Sequence, residues 1–219
     1  MKTNYELRYA CDPRDAKCYD TTRLRGDFLI EKIFTDNEVN MVYSMYDRLI
    51  VGGAKPVGET LILEAIDPLK ATHFLSRREL GIFNVGGPGR VKAGDAIFDL
   101  NYKEALYLGA GERTVTFESI DPKNPAKFYF NSAPAHKTYP DKKVTKADAV
   151  VAEMGSLEGS NHRNINKMLV SQVLETCQLQ MGMTELQPGS VWNTMPAHTH
   201  SRRMEAYFYF EVPEGEAVC

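Results

Sequence analysis

The amino-acid sequence predicts an all-β protein made of two related barrels. Short runs rich in Val, Ile, Leu and Tyr recur along the chain and are interrupted by Gly, Pro and Asp, which is the pattern of strands and tight turns. Strands at this close spacing are typical of a sandwich or a barrel rather than of alternating strands and helices. The motif Ser76-Arg77-Arg78-Glu79 recurs in similar form as Ser201-Arg202-Arg203-Met204-Glu205. This internal repeat indicates that the barrel occurs twice.

The strand pattern divides the chain into four parts. Residues 1–27 are polar with scattered aromatics, and we expect an N-terminal arm or a short helix. Residues 28–140 are predicted to form the first barrel, which has no metal site. Residues 141–170 are predicted to be a linker, in which Thr145-Lys146-Ala147-Asp148 is a weak capping box for a short helix. Residues 171–219 are predicted to begin a second, metal-binding barrel.

Within these parts the strands are expected at short apolar runs. Their predicted ranges are 39–46, 49–52, 60–64, 81–85, 96–100, 105–108, 114–118, 126–130, 178–186 and 206–212.

The stretch at residues 198–205 indicates the chemistry. His198 and His200 are two apart, so on an extended strand both imidazoles project from one face. Imidazole nitrogen binds zinc, iron, nickel or copper, and a nearby carboxylate adds an oxygen ligand. Glu205 would face the other way on a straight strand, but a turn at residues 201–204 would bring it back to the same side. The pattern predicts a metal site formed by His198, His200 and Glu205.

The residues after this turn alternate in character. Tyr207 and Tyr209 share a face with Glu205, whereas Phe208 and Phe210 face the other way. Two exposed phenylalanines would form an apolar patch, so we expect burial against the other barrel or another subunit. The alternative interpretation of the whole motif is an ordinary hairpin with two polar histidines at its edge.

Composition excludes several classes of function. With 219 residues and 43% hydrophobic residues the chain can bury a core, and a net charge of −3 argues against nucleic acid as a partner. No apolar stretch approaches the roughly 18 residues of a membrane span, and the N-terminus is too polar for a secretory signal. The cysteines fit neither a zinc motif nor a disulfide framework, so free thiols in the cytoplasm are expected. They are Cys11, Cys18, Cys177 and Cys219.

Several stretches resemble the family of 5-keto-4-deoxyuronate isomerases, also called 4-deoxy-L-threo-5-hexosulose-uronate ketol-isomerases. The longest is WNTMPAHTHSRRMEAYFYF at residues 192–210. Shorter ones are RLIVGG at 48–53, RRELG at 77–81, APAHKTYP at 133–140 and LETCQL at 174–179. The resemblance extends over nearly the whole chain.

The resemblance implies a bicupin fold, with two jelly-roll barrels of which the second is incomplete at its C-terminus. It implies one zinc ion per subunit, with His198, His200 and Glu205 as ligands and a fourth ligand, a histidine, expected beyond Cys219. It implies a homo-oligomer, a hexamer in this family, and a small-molecule uronate substrate. The implied reaction interconverts 5-dehydro-4-deoxy-D-glucuronate and 3-deoxy-D-glycero-2,5-hexodiulosonate in pectin and uronate degradation.

Such an aldose–ketose isomerisation needs a base and a Lewis acid. A proton leaves the carbon beside a carbonyl, and a metal ion stabilises the charge of the enediolate that forms. Glu205 is a candidate for the base if it loosens from the metal, and Tyr207 and Tyr209 on the same face are alternatives. The residue pattern does not decide between them.

Other side chains near the motif are candidates for binding the substrate. Arg202 or Arg203 could hold the uronate carboxylate as a bidentate pair. Tyr207 and Trp192 are predicted to wall the pocket. The alternatives are turn arginines that are solvated or contact a neighbouring subunit, and a tryptophan in the core.

Two other functions fit the same motif. Two histidines and one carboxylate with open positions also form the iron(II) site of cupin dioxygenases. A metal that is only structural would leave a non-catalytic, sugar-binding cupin. Isomerisation without oxygen uptake would favour the isomerase, oxygen consumption the dioxygenase, and binding without turnover the sugar-binding protein.

Overall fold

The computed structural model describes residues 2–193, 198, 200–201 and 203–215, and this part of the chain is mostly β. Its strands are β1 (Lys2–Arg8), β2 (Glu38–Ser44), β3 (Ile50–Ala54), β4 (Leu61–Ile62), β5 (Arg78–Asn84), β6 (Gly89–Ala93), β7 (Ala96–Leu100), β8 (Ala105–Leu108), β9 (Val115–Ser119), β10 (Phe128–Pro134), β11 (Lys142–Val144), β12 (Val150–Met154), β13 (Arg163–Leu169) and β14 (Met181–Leu186). The helices are α1 (Pro13–Ala16) and α2 (Thr21–Phe28), with 3-10 turns at Asp67–Leu69 and Lys146–Asp148. The all-β prediction is confirmed.

A seven-stranded sheet, called the central sheet below, has the order β1-β2-β3-β10-β5-β8-β11. β1 pairs with β2 in parallel, and the other neighbours are antiparallel. Every residue of β5 is buried. Because side chains alternate between the two faces of a strand, this burial means that both faces of the central sheet are covered.

A four-stranded sheet in the order β4-β9-β6-β7 covers one face. Apolar side chains of both sheets form a common core, in which Leu80 and Ile82 of β5 meet Val91 of β6 and Phe117 of β9. The rings of Phe117 and Phe130 stack with their centroids 6.2 Å apart. Two sheets packed face to face agree with the sandwich or barrel expected for residues 28–140.

The other face of the central sheet is covered by segments from distant parts of the sequence. A second apolar cluster joins Phe83, Tyr107 and Tyr129 of this sheet to Leu169 and Met181 of β13 and β14. The partly buried side chains packed against it include Ile30, Ile33, Phe34, Phe208 and Phe210. The segment that carries the candidate site is therefore attached to the central sheet by apolar contacts.

Residues 141–170, predicted to be a linker, form regular structure. They contain β11, β12 and β13, and the last two join β14 in a three-stranded antiparallel sheet. The capping box is present: the Thr145 side chain accepts from the backbone N–H of Asp148, and the Asp148 side chain accepts from the backbone N–H of Thr145 at 2.8 Å. The pattern misled because β12 is largely exposed along its length and lacks the alternation that marks a half-buried strand. The division into domains remains a prediction.

Three further expectations need correction. Residues 206–212, predicted to be a strand, belong to no sheet in the described chain and lie on the central sheet through side chains. β6 begins directly after the turn signal Gly86-Gly87-Pro88, and the sequence pattern predicted no strand there. The predicted arm contributes β1 to the edge of the central sheet, and its helices begin at side-chain caps, Asp12 for α1 and Asp20 for α2.

The cysteine expectation agrees with the described part of the structure. Cys11, Cys18 and Cys177 are free thiols, and Cys219 lies outside the described residues. In the described ranges no helix has the length and apolar character needed to cross a lipid bilayer.

Candidate metal and active site

The predicted metal ligands are neighbours in the structure. The Nε2 atom of His200 and the Oε1 atom of Glu205 are 3.3 Å apart. The rings of His198 and His200 meet edge to face, with centroids 4.9 Å apart. The side chains of His200 and Glu205 are 29% and 31% exposed, so small molecules can reach them. Arg202, which belongs to the turn predicted at residues 201–204, lies outside the described residues.

The separation of this pair fits a single metal ion. Two ligand atoms about 2.0–2.2 Å from a tetrahedral zinc lie about 3.3–3.6 Å from each other, and the His200–Glu205 distance of 3.3 Å is in that range. Imidazole and carboxylate are also a suitable donor set for zinc. Among the described residues no three His, Cys, Asp or Glu side chains are arranged to hold a metal ion. His198 would have to turn towards the pair to complete the set.

A guanidinium group contacts both ligand atoms. Arg203 Nη2 lies 2.9 Å from His200 Nε2 and 2.7 Å from Glu205 Oε1. Because a guanidinium only donates, His200 Nε2 and Glu205 Oε1 both accept hydrogen bonds from it. The residue pattern suggested Arg203 for the substrate carboxylate and contained no signal for this second contact, which depends on how the turn folds.

Tyr207 completes the hydrogen bonding of the carboxylate. Its hydroxyl donates to Glu205 Oε2 at 2.9 Å. The rings of Tyr207 and Tyr209 are stacked with centroids 6.4 Å apart, and they are 55% and 56% exposed. Glu205, Tyr207 and Tyr209 therefore share one open face, as the alternation predicts.

Trp192 contacts a different part of the chain. Its indole N–H donates to the Gly159 carbonyl at 2.9 Å, and the Arg163 guanidinium lies 5.8 Å from its ring centroid. Both partners belong to the β12–β13 region. Within the described residues these contacts support a structural role for Trp192, and its place in the pocket wall stays a prediction.

The opposite face of the segment anchors it to the central sheet. The Phe208 ring stacks on Tyr129 with centroids 4.5 Å apart and meets Phe34 edge to face at 5.8 Å. Phe210 stacks on Phe208 at 5.7 Å. Both phenylalanines are partly buried against the central sheet, which agrees with the first of the two alternatives, burial within the chain rather than against another subunit.

Polar contacts fix the end of the same segment. Lys103 Nζ lies 2.9 Å from Glu211 Oε2 and 3.1 Å from Glu185 Oε1. The Tyr102 hydroxyl also donates to Glu211. Hydrogen bonds from Tyr102 and then Lys103 lower the pKa of Glu211, while burial and then the bond to Glu211 raise the pKa of Tyr102 to about 12. The pair therefore stays a phenol and a carboxylate across the neutral range.

We expect Phe208→Ala to loosen the segment that carries Glu205. Truncating a fully buried phenylalanine costs about 3–5 kcal/mol, so the half-buried ring should contribute about 2 kcal/mol, whereas an exposed ion pair such as Lys103–Glu211 contributes about 1 kcal/mol or less. Cleavage after Glu205 or Glu211 by a glutamate-specific protease should accelerate about 30-fold. Tyr209→Ala, on the exposed face, is the matched control and should change the cleavage rate less than about threefold. Equal acceleration in both variants would contradict this anchoring role.

The first copy of the repeated motif, Ser76-Arg77-Arg78-Glu79, has a structural role. His73 Nδ1 and the Ser76 hydroxyl contact Glu112 Oε2, at 3.0 and 2.7 Å. Glu79 is fully buried, and its carboxylate accepts hydrogen bonds from the Tyr107 hydroxyl and from three successive backbone N–H groups, those of residues 177–179. The acidic residue of the first copy is thus satisfied by the protein, whereas Glu205 is accessible to a ligand.

The chain matches the KduI/IolB family over residues 28–219. The 4-deoxy-L-threo-5-hexosulose-uronate ketol-isomerase 1 of Bacteroides thetaiotaomicron is 80% identical over 219 residues, which are 100% of this chain and 78% of the relative. The ketol-isomerase of the same name from Formosa agariphila is 54% identical over 219 residues, with the same coverage of 100% and 78%. That of Enterobacter sp. (strain 638) is 50% identical over 215 residues, covering 97% of this chain and 77% of the relative.

A solved structure of an IolB-like protein from Salmonella typhimurium LT2 has a TM-score of 0.43 and 20% identity, over 58% of this chain and 46% of that chain. A score this low supports no statement about the fold. The relatives are named as ketol-isomerases, a class of intramolecular oxidoreductase, so the expected enzyme class and the resemblance are both confirmed. The chain belongs to the KduI/IolB family.

Proposed function

We propose that this protein is a zinc-dependent ketol-isomerase that interconverts 5-dehydro-4-deoxy-D-glucuronate and 3-deoxy-D-glycero-2,5-hexodiulosonate. The observation that carries the proposal is the 3.3 Å separation of His200 Nε2 and Glu205 Oε1, with His198 beside them. It is supported by 80% identity to a relative named as a uronate ketol-isomerase.

The assembly and location are part of the same proposal. By family resemblance we propose a bicupin, in which β12–β14 and the segment carrying Glu205 belong to the second barrel. We also propose a cytoplasmic homo-oligomer, a hexamer, with one zinc ion per subunit and neither nucleic acid nor membrane as partner.

The chemistry divides between the ion and the protein. When bound by His198, His200 and Glu205, zinc supplies Lewis-acid polarisation of the substrate carbonyl. The protein moves a proton from the carbon beside that carbonyl to the next carbon. Glu205 Oε2 and the Tyr207 hydroxyl, hydrogen bonded at 2.9 Å on the open face, are the groups we propose for this transfer.

The substrate is also held through its carboxylate. Arg203 is 62% exposed and lies beside Glu205, so its planar guanidinium can bind a carboxylate through two parallel hydrogen bonds. Arg202 precedes it and is proposed to assist. The reacting end of the sugar would then face Glu205 and Tyr207.

Chelation and reloading test this function against its alternatives. We expect a chelator to abolish isomerisation of the uronate substrate, followed by proton NMR, and stoichiometric zinc to restore it without oxygen consumption, because the ion polarises the carbonyl. Turnover that consumes oxygen after iron(II) loading would support the cupin dioxygenase instead. Substrate binding without turnover in the zinc-loaded protein would support the sugar-binding protein.

A further inference from the structure

Arg203 bridges the two atoms that a metal ion needs. Its Nη2 donates to His200 Nε2 at 2.9 Å and to Glu205 Oε1 at 2.7 Å. These atoms are themselves 3.3 Å apart, which is the spacing of two ligands on one zinc ion. The guanidinium is therefore a positive charge that belongs to the chain and contacts the lone pairs a bound cation would use.

We propose that Arg203 is an internal substitute for the metal: it holds His200 and Glu205 together in the metal-free protein, and metal binding displaces it and frees it for the substrate carboxylate. This inference rests on the proposed function, because it uses the same ligands and a substrate that carries a carboxylate. It makes Arg203 a positioning residue before the metal binds and a binding residue afterwards.

The geometry explains why the two occupants exclude each other. The single lone pair of His200 Nε2 can accept a hydrogen bond or coordinate a metal ion, but not both. A zinc ion close to both atoms would also repel the guanidinium charge. Arg203 can leave readily, because its side chain is 62% exposed and a freed guanidinium is stabilised by water or by an anion.

Displacement couples metal binding to substrate binding. In the metal-free protein the guanidinium of Arg203 is paired with Glu205, so fewer of its N–H donors are available to a second carboxylate. In the metal-loaded protein its donors are released beside the site. By linkage, any preference of the freed arginine for a uronate carboxylate must also strengthen metal binding by the same factor.

Zinc affinity is the first test, measured by competition with a chromogenic chelator on the wild type and on Arg203→Gln. Removing the internal competitor should tighten zinc binding about tenfold, which corresponds to about 1.4 kcal/mol. Arg90→Gln is the charge-matched control, because Arg90 pairs with Asp99 across β6 and β7, at 2.7 Å, and should leave the affinity unchanged. Unchanged or weaker zinc binding in Arg203→Gln would overturn the inference.

Carboxylate selectivity is the second test and separates displacement from simple charge repulsion. D-glucuronate and D-glucose serve as probes with and without the carboxylate, titrated by NMR into metal-free and zinc-loaded protein. In the wild type, zinc should increase glucuronate affinity at least about fivefold more than glucose affinity, and Arg203→Gln should abolish that difference. The same zinc-induced gain for glucuronate in Arg203→Gln would overturn the proposed release.

A third variant distinguishes the failure of this inference from that of the proposed function. If His200→Ala binds zinc as tightly as the wild type, the metal does not use this pair, and both proposals fall. If His200→Ala weakens zinc binding but Arg203→Gln does not tighten it, only the displacement is refuted. If the expected zinc and carboxylate pattern appears without any isomerisation, the proposed reaction fails and the role of Arg203 stands.

Discussion

Glu79→Ala is expected to lower the free energy of unfolding by about 3–5 kcal/mol. The Glu79 carboxylate is fully buried and accepts four hydrogen bonds. Three come from the backbone N–H groups of residues 177–179 at 2.7–2.8 Å, and one comes from Tyr107 at 2.8 Å. Truncation would leave these donors without their acceptor, and each unsatisfied buried donor costs about 1–3 kcal/mol.

The Tyr107 hydroxyl remains a donor throughout the neutral range. Burial, and then the hydrogen bond to Glu79, raise the pKa of Tyr107 well above its ordinary value. The four-donor arrangement therefore persists at physiological pH. It connects the chain before β14 to the middle of the central sheet, so its loss should free residues 177–186 first.

Two comparisons make the Glu79 test specific. Glu79→Gln keeps one acceptor oxygen for residues 178 and 179 but turns an N–H towards Cys177, so it should cost less than Glu79→Ala. Glu59→Ala, at an exposed position, should change stability by less than about 0.5 kcal/mol. Denaturant unfolding measures all three. A loss below about 1 kcal/mol in Glu79→Ala would show that water replaces the carboxylate at little cost.

His200→Ala is expected to lower isomerase activity at least about a thousandfold, because loss of several kcal/mol of Lewis-acid stabilisation has that effect on a rate. Its Nε2 faces Glu205 Oε1 at 3.3 Å, and under the proposed function loss of the imidazole removes one of the zinc ligands. The expected result is loss of bound zinc, measured by atomic emission, together with loss of turnover. The fold should persist, since His200 is exposed as a residue.

His162→Ala provides the matched control for this variant. His162 Nε2 lies 2.6 Å from Glu153 Oε1 on the three-stranded sheet, so it is a histidine paired with a glutamate away from the candidate ligands. Its replacement should change zinc content and turnover less than about threefold. Full activity in His200→Ala with zinc still bound would show that His200 is not a zinc ligand.

Strand prediction succeeded where the chain alternates between turn signals and apolar runs. β7 and β8 have the predicted bounds, because glycine, aspartate and asparagine mark their ends. β6 was missed behind a glycine-rich turn. β12 was missed because it is largely exposed and lacks the buried alternation on which such predictions depend. β13 was missed because its sequence, RNINKML, is mostly polar although its second half is buried.

At the candidate site, local spacing predicted the alternation of residues 205–210. This alternation is short-range geometry, which the order of residues largely determines. The contacts of Arg203 with His200 and Glu205 depend on the shape of the turn, and the attachment of Phe208 to Tyr129 depends on a sheet far away in sequence. Neither set of contacts produces a periodic pattern in the sequence from which it could be predicted.

The sequence alone determined the all-β class and the open face that Glu205 shares with Tyr207 and Tyr209, since these follow from composition and a period of two residues. Only the tertiary structure decided how Glu79, the acid of the first copy, is used. Glu79 is fully buried and accepts hydrogen bonds from donors about 100 residues away, whereas the Glu205 side chain is partly exposed and is bonded only to near neighbours in sequence among the described residues. The physical reason is that the role of a carboxylate depends on its surroundings. Residues far away in sequence can surround it with hydrogen-bond donors, or they can leave it exposed at the protein surface.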